Sequence, residues 1–418
     1  MKKTVKKSHY SFLAIFIVAF LTMAIAVSAV AATDYYVSPT GNDANDGSNT
    51  SLSKQSISDV TTTASSGDTI YLSDGVYKGL KNKGITIDKS LTFVGESKKN
   101  TIIDAEKNGR IFKILPDFTV SFVNITFKNG LADDGGAIYN QGGYLTINNC
   151  IFEKNTANYR GGAVFNEWTY GVKVENSLFE GNTAGGSGGA VYYFYGNHFS
   201  IEQSQFTKNY AANSGGAVFN DHGDDLTLCT CEFAENTANN CGGALYTFYA
   251  DRIIVSNSVF KLNKAIITSG GAIFNEHGND FTVANCKFEE NFAEIYGGAV
   301  DTFWGDRVTF FNNIFIENTA GFGGAIFNEH GNDITIEKCE FTKNKAFYGG
   351  AFYNFHGIGA NIILPTVSGN IAMWSAGEFL FNEWSRDVTI IFPDLYRLIY
   401  IDIYTTIPDE ITVGYLLV

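Results

Sequence analysis

The chain has 418 residues, of which 45% are hydrophobic and 15% aromatic, with 44 glycines and only 5 prolines. This composition argues against a disordered chain and is typical of many short strands joined by tight turns. The net charge of −14 disfavours nucleic acids and anionic membranes as partners, because both are polyanions.

Residues 1–32 have the pattern of an export signal. Basic residues between Lys2 and Lys7 precede an apolar run from Phe12 to Val27, and small residues follow from Ala29 to Ala32. This order predicts a signal peptide that is cleaved after Ala31 or Ala32. The alternative is an uncleaved membrane anchor, because residues 12–32 are about long enough to span a bilayer. No second long apolar stretch follows, so we expect no other membrane insertion.

Residues 33–134 are irregular but contain short alternating stretches such as Thr69–Leu72, Leu91–Val94 and Val120–Val123. Alternation with a period of two residues predicts strands. We interpret this region as an N-terminal cap and the first coils of a repeating structure, because a bare end coil would expose unpaired backbone.

Residues 135–394 repeat at intervals of 26 to 28 residues. The tripeptide Gly-Gly-Ala begins nine times, at Gly135, Gly161, Gly188, Gly215, Gly242, Gly270, Gly297, Gly323 and Gly349, and a degraded copy follows at Ala376. Phe-x-x-Asn recurs with it, from Phe152 and Asn155 to Phe341 and Asn344. Short alternating stretches lie between the two marks, so each unit is predicted to hold about three short strands.

One such unit cannot bury its own apolar face, whereas like units stacked about 4.8 Å apart can. The repeat therefore predicts an all-β fold, a right-handed parallel β-helix, with the handedness taken from the rule for parallel crossovers. The alternative solenoid, a leucine-rich repeat, lacks its leucine spacing. Residues 395–418 lose the repeat and are expected to form an irregular C-terminal cap.

Stacking turns each repeat position into a column along the solenoid. The first position after Gly-Gly-Ala is always apolar, as in Ile138, Val164 and Val191, and is predicted to lie inside. The second is aromatic except for Asp301, and alternation places it outside, where a carboxylate avoids the cost of burial.

Two further columns are interpreted as structural ladders. The third position carries asparagines that can bond backbone groups of their own and neighbouring coils, namely Asn140, Asn166, Asn220, Asn275, Asn328 and Asn354. Another column alternates in charge along Asp225, Arg252, Asp280, Arg307 and Asp333. Like charges on successive rungs would repel, so we predict a ladder of surface ion pairs, each contributing at most about 1 kcal/mol.

A column of rings is the candidate ligand-binding surface. Its members are Trp168, Tyr195, His222, Tyr249, His277, Trp304, His330, His356 and Trp384. Such rings could hold sugar rings face-on or contact a protein partner. The alternative is that they stack on one another and only stabilise the loops.

Neither a metal site nor a cofactor is predicted. His222 and His277 lie two rungs apart, which is too far for one zinc ion to join them. Cysteines that share a column, such as Cys231 and Cys286, are also two rungs apart, so free thiols are expected. No phosphate-binding loop or nucleophile motif appears. Catalysis by opposed carboxylates on the solenoid face is the alternative.

Gly-Gly-Ala followed by Ile, Val or Leu, paired with Phe-x-x-Asn, resembles the repeat of chlamydial polymorphic membrane proteins. The same pattern behind a signal peptide is similar to the adhesin-like β-helix proteins of gut methanogens. Residues Asp34–Asp43, Gly67–Leu72 and Leu91–Glu96 resemble the opening of pectin-lyase-like β-helices. The resemblance implies a pectin-lyase-like solenoid displayed at the cell surface, with adhesion as its role. No lyase-type catalytic motif matches, so no catalytic residue is carried over.

Together these inferences predict a secreted or cell-surface, adhesin-like monomer that lies outside the cell. We expect it not to be an enzyme and to bind glycans or surface proteins of host or neighbouring cells. The alternative function is a polysaccharide lyase or glycoside hydrolase that acts on the β-helix face.

Overall fold

Each regular coil of the chain passes through four short parallel strands. The computed structural model describes residues 32–374, 377–392, 403–406 and 411–415. One coil consists of the strands Ile138–Gln141, Tyr144–Asn148, Ile151–Glu153 and Thr156–Arg160. Val164 begins the next coil and pairs in parallel with Ile138, so that equivalent residues lie one above another. The predicted all-β parallel β-helix is confirmed.

The strands form four sheets, which we number in their order within a coil. Sheet 1 follows Gly-Gly-Ala and has 13 strands: Ile85–Ile87, Phe112–Ile114, Ile138–Gln141, Val164–Glu167, Val191–Asn197, Val218–Asp224, Leu245–Phe248, Ile273–Glu276, Val300–Phe303, Ile326–Glu329, Phe352–Phe355, Leu380–Glu383 and Ile403–Thr405. Sheet 2 has 15 strands: Asp34–Val37, Thr69–Leu72, Leu91–Gly95, Thr119–Val123, Tyr144–Asn148, Val172–Glu175, Phe199–Glu202, Thr227–Cys229, Ile254–Ser256, Thr282–Ala284, Thr309–Phe311, Thr335–Glu337, Asn361–Ile363, Val388–Phe392 and Ile411–Tyr415.

Sheets 3 and 4 complete each coil. Sheet 3 contains the Phe of Phe-x-x-Asn and has 12 strands: Gly75–Tyr77, Thr101–Asp104, Thr126–Lys128, Ile151–Glu153, Leu178–Glu180, Gln205–Thr207, Glu232–Ala234, Val259–Lys261, Lys287–Glu289, Ile314–Ile316, Glu340–Thr342 and Thr366–Ser368. Sheet 4 has seven strands and a separate pair: Leu131–Asp134, Thr156–Arg160, Thr183–Ala184, Tyr210–Ala211, Thr237–Ala238, Lys264–Ala265, Phe292–Ala293, then Lys345–Ala346 and Ile371–Ala372. The sequence predicted about three strands in each unit, and the structure has four. The strand of sheet 4 was missed because it can be as short as two residues.

The core is a stack of identical side chains. The Phe residues of sheet 3, from Phe127 to Phe341, lie face to face with ring centroids 4.6 to 5.0 Å apart. This spacing equals the separation of neighbouring strands, about 4.8 Å, so one residue type fits at every rung. Phe233, in the middle of the stack, is fully buried.

The Asn of Phe-x-x-Asn forms a buried hydrogen-bonded ladder. The sequence showed the motif but predicted no role for its Asn. Asn236 shows the pattern: its Oδ1 accepts the backbone N–H of Asn209 at 3.0 Å, and its Nδ2 donates to the carbonyl of Phe206 at 2.8 Å and to Oδ1 of Asn263 at 3.0 Å. Each amide therefore joins backbone and side chain across neighbouring coils.

The second position after Gly-Gly-Ala does not face solvent. Its aromatic side chains point away from the coil interior but form two further apolar clusters: Phe165, Tyr192, Phe219, Tyr246 and Phe274 in one, and Phe327, Tyr353 and Phe381 in the other. Phe194 and Phe248, two residues further along the same strands, pack beside the first cluster, and Tyr296, Phe322 and Tyr348 pack against the second. Asp301 lies in the same column and is only 3% exposed. Placing this column, with Asp301, at the solvent is wrong, because side chains of sheet 1 and of the segments that precede Gly-Gly-Ala cover it.

A helix that the sequence did not predict lies near the N-terminal end. Helix Ile57–Thr63 buries Ile57 and Val60 in the same core cluster as the first strands of sheet 2. Two 3-10 helices, Thr50–Leu52 and Leu80–Asn82, accompany it. The predicted signal peptide, the degraded repeat at Ala376 and most of the predicted C-terminal cap lie outside the described residues.

Candidate functional site

The predicted ring column is a continuous stack along the corner between sheets 1 and 2. Consecutive rings lie nearly parallel with centroids 4.4 to 6.4 Å apart, and the order is Trp168, Tyr195, His222, Tyr249, His277, Trp304, His330, His356 and Trp384. All nine residues have a φ between 47° and 57°, which turns the chain sharply at each corner. Neighbours cover both faces of every ring inside the stack, so face-on contact with sugars is unavailable there.

Trp168 is different because it begins the stack. One face lies on Tyr195 at 4.7 Å, while the preceding coil has Gly142 at the equivalent position and so presents no ring to the other face. Trp168 is 56% exposed, and Tyr144 and Tyr170 beside it are 50% and 66% exposed. We call Tyr144, Trp168 and Tyr170 the aromatic corner.

A shallow depression of about 510 Å³ adjoins the aromatic corner on the outer face of sheet 2. Its lining includes Tyr144, Gly171, Lys173, His198 and Ser200. Gly171 leaves space between the larger side chains of the coils before and after it, and a Cβ added there would meet the Tyr144 ring at 3.0 Å. Lys173 forms an ion pair with Glu175 at 2.7 Å, and the His198 side chain is largely exposed. The depression thus combines an aromatic ring, hydroxyls and two nitrogen groups.

A second, larger groove of about 710 Å³ lies between sheets 2 and 3 and was not found by sequence reasoning. Amide side chains, including Asn149, Asn176 and Gln203, line it together with Lys98 and Lys99. Its amides are engaged with one another and with lysine, as in the 2.6 Å bond from Lys98 to Asn149. The only signal in the sequence was a recurrent Asn or Gln at the coil corner.

Acidic side chains alternate with phenylalanines beside the ring column, in sheet 1. The acids accept hydroxyl hydrogen bonds from tyrosines of the preceding coil in four pairs: Tyr139 with Glu167, Tyr192 with Asp221, Tyr246 with Glu276, and Tyr353 with Glu383. The phenylalanines lie edge-on against the rings, as Phe248 does against His222 and Tyr249. Acids and phenylalanines thus alternate with a period of two coils. The acids bond tyrosines on the covered outer face of sheet 1, and the phenylalanines contact the ring column.

The fifth acid of this series, Glu329, lacks such a tyrosine. Asp301 occupies the position of the tyrosine, and its Oδ1 is buried without a hydrogen-bond partner. Burial raises the pKa of Asp301 well above its ordinary value, and the nearby carboxylates Glu329 and Glu276 raise it further, while the Ser269 hydroxyl opposes the shift. Burial also raises the pKa of Glu329, which His356 partly counteracts.

The predicted ion-pair ladder is discontinuous. Arg252 reaches back to Asp225 at 2.6 Å and to Asp224 at 3.0 Å, and Arg307 reaches back to Asp280 at 2.6 Å. Within the described ranges no ion pair joins Arg307 to Asp333. The continuous ladder through Asp333 is therefore wrong, because each guanidinium bonds the carboxylate of the coil before it rather than both neighbours.

The six asparagines predicted at the third position are buried, and four of them bond the backbone at the corner of their own coil. Asn140 donates to the carbonyl of Gly143 at 2.9 Å and to Asn166 at 3.2 Å. Equivalent bonds from Asn220, Asn275 and Asn328 reach a glycine three residues on, and Asn354 bonds Asn382. These side chains hold the backbone that carries the rings and are not accessible to a ligand.

All six cysteines are free thiols, as predicted. Burial raises the pKa of Cys150, Cys231, Cys286 and Cys339 to about 12. In the described part of the chain, no group of three or more His, Cys, Asp or Glu residues is placed to hold a metal ion. No helix there is long and apolar enough to cross a membrane.

Comparisons with known proteins agree with this architecture. Residues 212–364 match a right-handed β-helix region, and residues 149–167 and 176–193 match the Chlamydia polymorphic membrane protein repeat. The predicted resemblance and the right-handed fold are confirmed. No curated protein matches the sequence significantly.

Solved structures similar to this chain include three proteins. The catalytic domain of the D1045A variant of a GH87 alpha-1,3-glucanase in complex with nigerose is 10% identical with a TM-score of 0.53, and the match covers 87% of this chain but 66% of that one, just under two thirds. DFA-IIIase from Arthrobacter chlorophenolicus A6 is 11% identical, with a TM-score of 0.48 and coverage of 92% and 99%. The A-module of mannuronan C-5 epimerase AlgE4 from Azotobacter vinelandii is 12% identical, with a TM-score of 0.42 and coverage of 75% and 89%. At these identities the likeness shows the fold alone.

The prediction that the chain is not an enzyme is wrong. It rested on the even coil length, which leaves no long insertion to wall a cleft. The glucanase catalytic domain, at 10% identity and a TM-score of 0.53, has a similar fold. The fold therefore accommodates catalysis, and an even solenoid is no argument against it.

Proposed function

We propose that this chain, a right-handed β-helix that carries polymorphic membrane protein repeats, is a cell-surface protein that binds polysaccharide at the aromatic corner. The open face of Trp168 carries the proposal, because an exposed ring face is what a sugar ring packs against. The predicted signal peptide and the name of the matched repeat support a location at the cell surface. Adhesion to glycan-coated cells is the role that this location and this site favour.

The surroundings of Trp168 suit a sugar chain rather than a flat protein partner. Tyr144 and Tyr170 extend the apolar surface, and the depression beside them offers hydroxyl, ammonium and imidazole groups for sugar hydroxyls. A binding site of this kind pairs apolar contact with a few polar groups that fix orientation.

The test uses two matched ring substitutions in the purified protein. Trp168→Ala removes the open face, whereas Tyr249→Ala removes a ring that is 49% exposed but stacked on both faces. Binding is measured on a panel of immobilised glucans, mannans, galactans and pectin. We expect Trp168→Ala to weaken binding about tenfold or more, which corresponds to ~1.4 kcal/mol, and Tyr249→Ala to leave it nearly unchanged.

A third variant tests the depression. Gly171→Val places a branched side chain against the Tyr144 ring and fills the space between coils. We expect it to weaken binding as Trp168→Ala does. Equal loss from Trp168→Ala and Tyr249→Ala would instead assign binding to the edges of the whole column, and no loss from any of the three would refute the proposal.

A further inference from the structure

The groove between sheets 2 and 3 differs in charge from the chain as a whole. The chain has 43 acidic residues against 29 lysines and arginines, yet no aspartate or glutamate is among the described residues that line this groove. Lys98 and Lys99 line it together with six amide side chains, namely Asn124, Asn148, Asn149, Asn176, Gln203 and Gln205. A local excess of positive charge in an acidic protein favours an anionic ligand.

The protein leaves both lysines without a carboxylate partner. Within the described ranges neither Lys98 nor Lys99 forms an ion pair. Lys98 is half-buried, and its Nζ donates to Oδ1 of Asn149, two coils further on, at 2.6 Å. The Lys98 carbonyl accepts the hydroxyl of Thr126, which holds the backbone of the lysine. An ammonium group has three donors, so this positioned cation keeps two of them for a carboxylate or sulfate oxygen.

Acids that adjoin the groove are bonded elsewhere. Glu175 forms an ion pair with Lys173 at 2.7 Å, and Glu202 accepts the Ser200 hydroxyl at 2.8 Å. Lys173 and Ser200 line the depression beside the aromatic corner, so these two carboxylates are held on that side of sheet 2. Glu232, on the coil after the last one that lines the groove, is ion-paired as well. These neighbours therefore do not cancel the positive charge of the groove.

The amides extend the groove along the coils that follow the lysines. Asn149 accepts from Lys98 and donates its Nδ2 to Oδ1 of Asn124 at 2.7 Å, so its orientation is fixed. The side chains of Gln203 and Gln205 are exposed and form no hydrogen bond with other described residues. Each such amide offers donors and an acceptor, which the hydroxyl groups of a neutral sugar can use. The groove thus places a cationic end beside a neutral, hydrogen-bonding stretch.

The groove continues at Asn124 into a depression of about 470 Å³ near the N-terminal end. Tyr36 and Tyr71 line this depression, and their rings stack with centroids 5.4 Å apart. Its acid, Glu96, accepts the backbone N–H of Asp74 at 3.0 Å. Together the groove and this depression run along the first seven strands of sheet 2, or six steps of about 4.8 Å, which is about 29 Å. That length suits an extended chain of several sugars rather than one small anion.

We propose that the groove between sheets 2 and 3 is a second polysaccharide-binding site, selective for a chain in which an acidic sugar is followed by neutral sugars. Lys98 and Lys99 bind the carboxylate or sulfate of the acidic sugar, and the amides bond the hydroxyl groups of its neighbours. The net charge of −14 repels a densely charged polymer, so sparse charge is favoured. The site does not rest on the aromatic corner, because Tyr144 and Asn148 lie at opposite ends of one strand of sheet 2.

Binding is measured in the Trp168→Ala background, so that the open ring of the aromatic corner does not contribute. The probes are pectins that range from fully to not methyl-esterified, and galactans with no, low and high sulfate content. We expect the sparsely charged form of a polymer to bind more tightly than its uncharged and its densely charged forms. The series that shows this order identifies the anion as carboxylate or sulfate. Binding of neither polymer, or tightest binding at either extreme of charge, overturns the proposal.

Three variants that each make the net charge more negative by one unit locate the site. Lys98→Met and Gln205→Glu should each weaken binding of the preferred polymer about tenfold, because the first removes a bond to a charged group and the second repels it. Gln205→Glu preserves the fold, because Glu232 has the same position on the next coil. Lys338→Met is the matched control, since Lys338 follows a sheet 2 strand as the groove amides do but pairs with Glu337 at 2.9 Å, and it should change binding less than twofold. Equal loss in all three variants would reflect net charge alone and contradicts the site.

Two further outcomes separate this inference from its alternatives. Poly-L-glutamate that binds as tightly as the preferred polysaccharide would indicate a protein partner and overturns the assignment to sugars. Loss of all polysaccharide binding on Trp168→Ala would overturn the second site and leave the proposed function standing. If Trp168→Ala instead leaves the binding of every polymer unchanged while Lys98→Met weakens it, the aromatic corner is refuted and the groove is not.

Discussion

Asn236→Ala tests whether the buried amide ladder holds the coils together. The Asn236 side chain accepts the backbone N–H and the Nδ2 of Asn209, both at 3.0 Å, and donates to Phe206 at 2.8 Å and to Asn263 at 3.0 Å. Alanine removes all four bonds. At roughly 1 kcal/mol for each bond, the expected loss of stability is about 4 kcal/mol. The backbone N–H of Asn209 is also left buried and unpaired.

The assay is urea-induced unfolding at 25 °C followed by circular dichroism, with hydrogen exchange of the Asn209 amide as a local readout. A solenoid couples each coil mainly to its neighbours, so we expect exchange to rise first in the coils that contain Asn209, Asn236 and Asn263. Local opening of these coils before global unfolding is part of the expected result.

Asn257→Ala is the control for the loss of an asparagine outside the buried ladder. Asn257 lies at a solvent-exposed corner with a φ of 50°, where alanine is disfavoured by about 1–2 kcal/mol but no buried ladder is lost. If Asn236→Ala destabilises the protein no more than Asn257→Ala does, the ladder contributes nothing beyond local conformation and the reasoning is refuted.

Three further predictions concern charge and thiol chemistry. Arg252→Ala should lower stability by less than about 1 kcal/mol, because its pairs with Asp224 and Asp225 are exposed; a larger loss in urea unfolding would contradict this. At pH 8 Ellman's reagent should label Cys229 first in the native protein, because hydrogen bonds lower its pKa and it is partly exposed, whereas burial raises the pKa of Cys150 to about 12; simultaneous labelling would contradict this. Because the pKa of Asp301 is raised, the folded state keeps a proton that the unfolded chain loses above about pH 4, so stability should fall as pH rises toward the raised pKa; Asp301→Asn should flatten that fall in urea midpoints, and an unchanged slope would contradict it.

The register of the coils could be predicted because the repeat is regular. Spacings of 26 to 28 residues place Ile138, Val164 and Val191 in one column, and these residues pair in that order. The predicted ring stack follows from the same count. Helix Ile57–Thr63 could not be predicted from the repeat, because it lies outside the repeating part and its sequence lacks strong helix formers.

The covered face of sheet 1 was missed for a different reason. Alternation gives the direction of a side chain relative to its own strand, but it does not say whether another part of the coil folds over it. The cover comes from residues such as Tyr296, Phe322 and Tyr348, which lie just before Gly-Gly-Ala and pack against the cluster. The tyrosine–acid pairs were also missed, because Tyr192 and Asp221 lie 29 residues apart and on different coils. A bond that joins two columns is not apparent from the residue pattern of either column.

Some residue types recur at every coil of this solenoid and others at every second coil. The difference follows from how a side chain interacts with an identical side chain on the neighbouring coil. An amide carries both a donor and an acceptor, so Asn236 can bond Asn209 on one side and Asn263 on the other, and one-coil repetition is favourable. A carboxylate only accepts, so a copy one rung away repels it, and a neutral residue between the two weakens the repulsion. In sheet 1 the acids Glu276, Glu329 and Glu383 recur at every second coil with phenylalanine between them, whereas in sheet 2 Glu175 and Glu202 pair on neighbouring coils and Lys173 forms an ion pair with Glu175. Asp301 stands on a coil that would carry a tyrosine under this rule, next to acids on both sides. Stacking alone gives no reason for a carboxyl group there, and the fold leaves its Oδ1 buried without a hydrogen-bond partner.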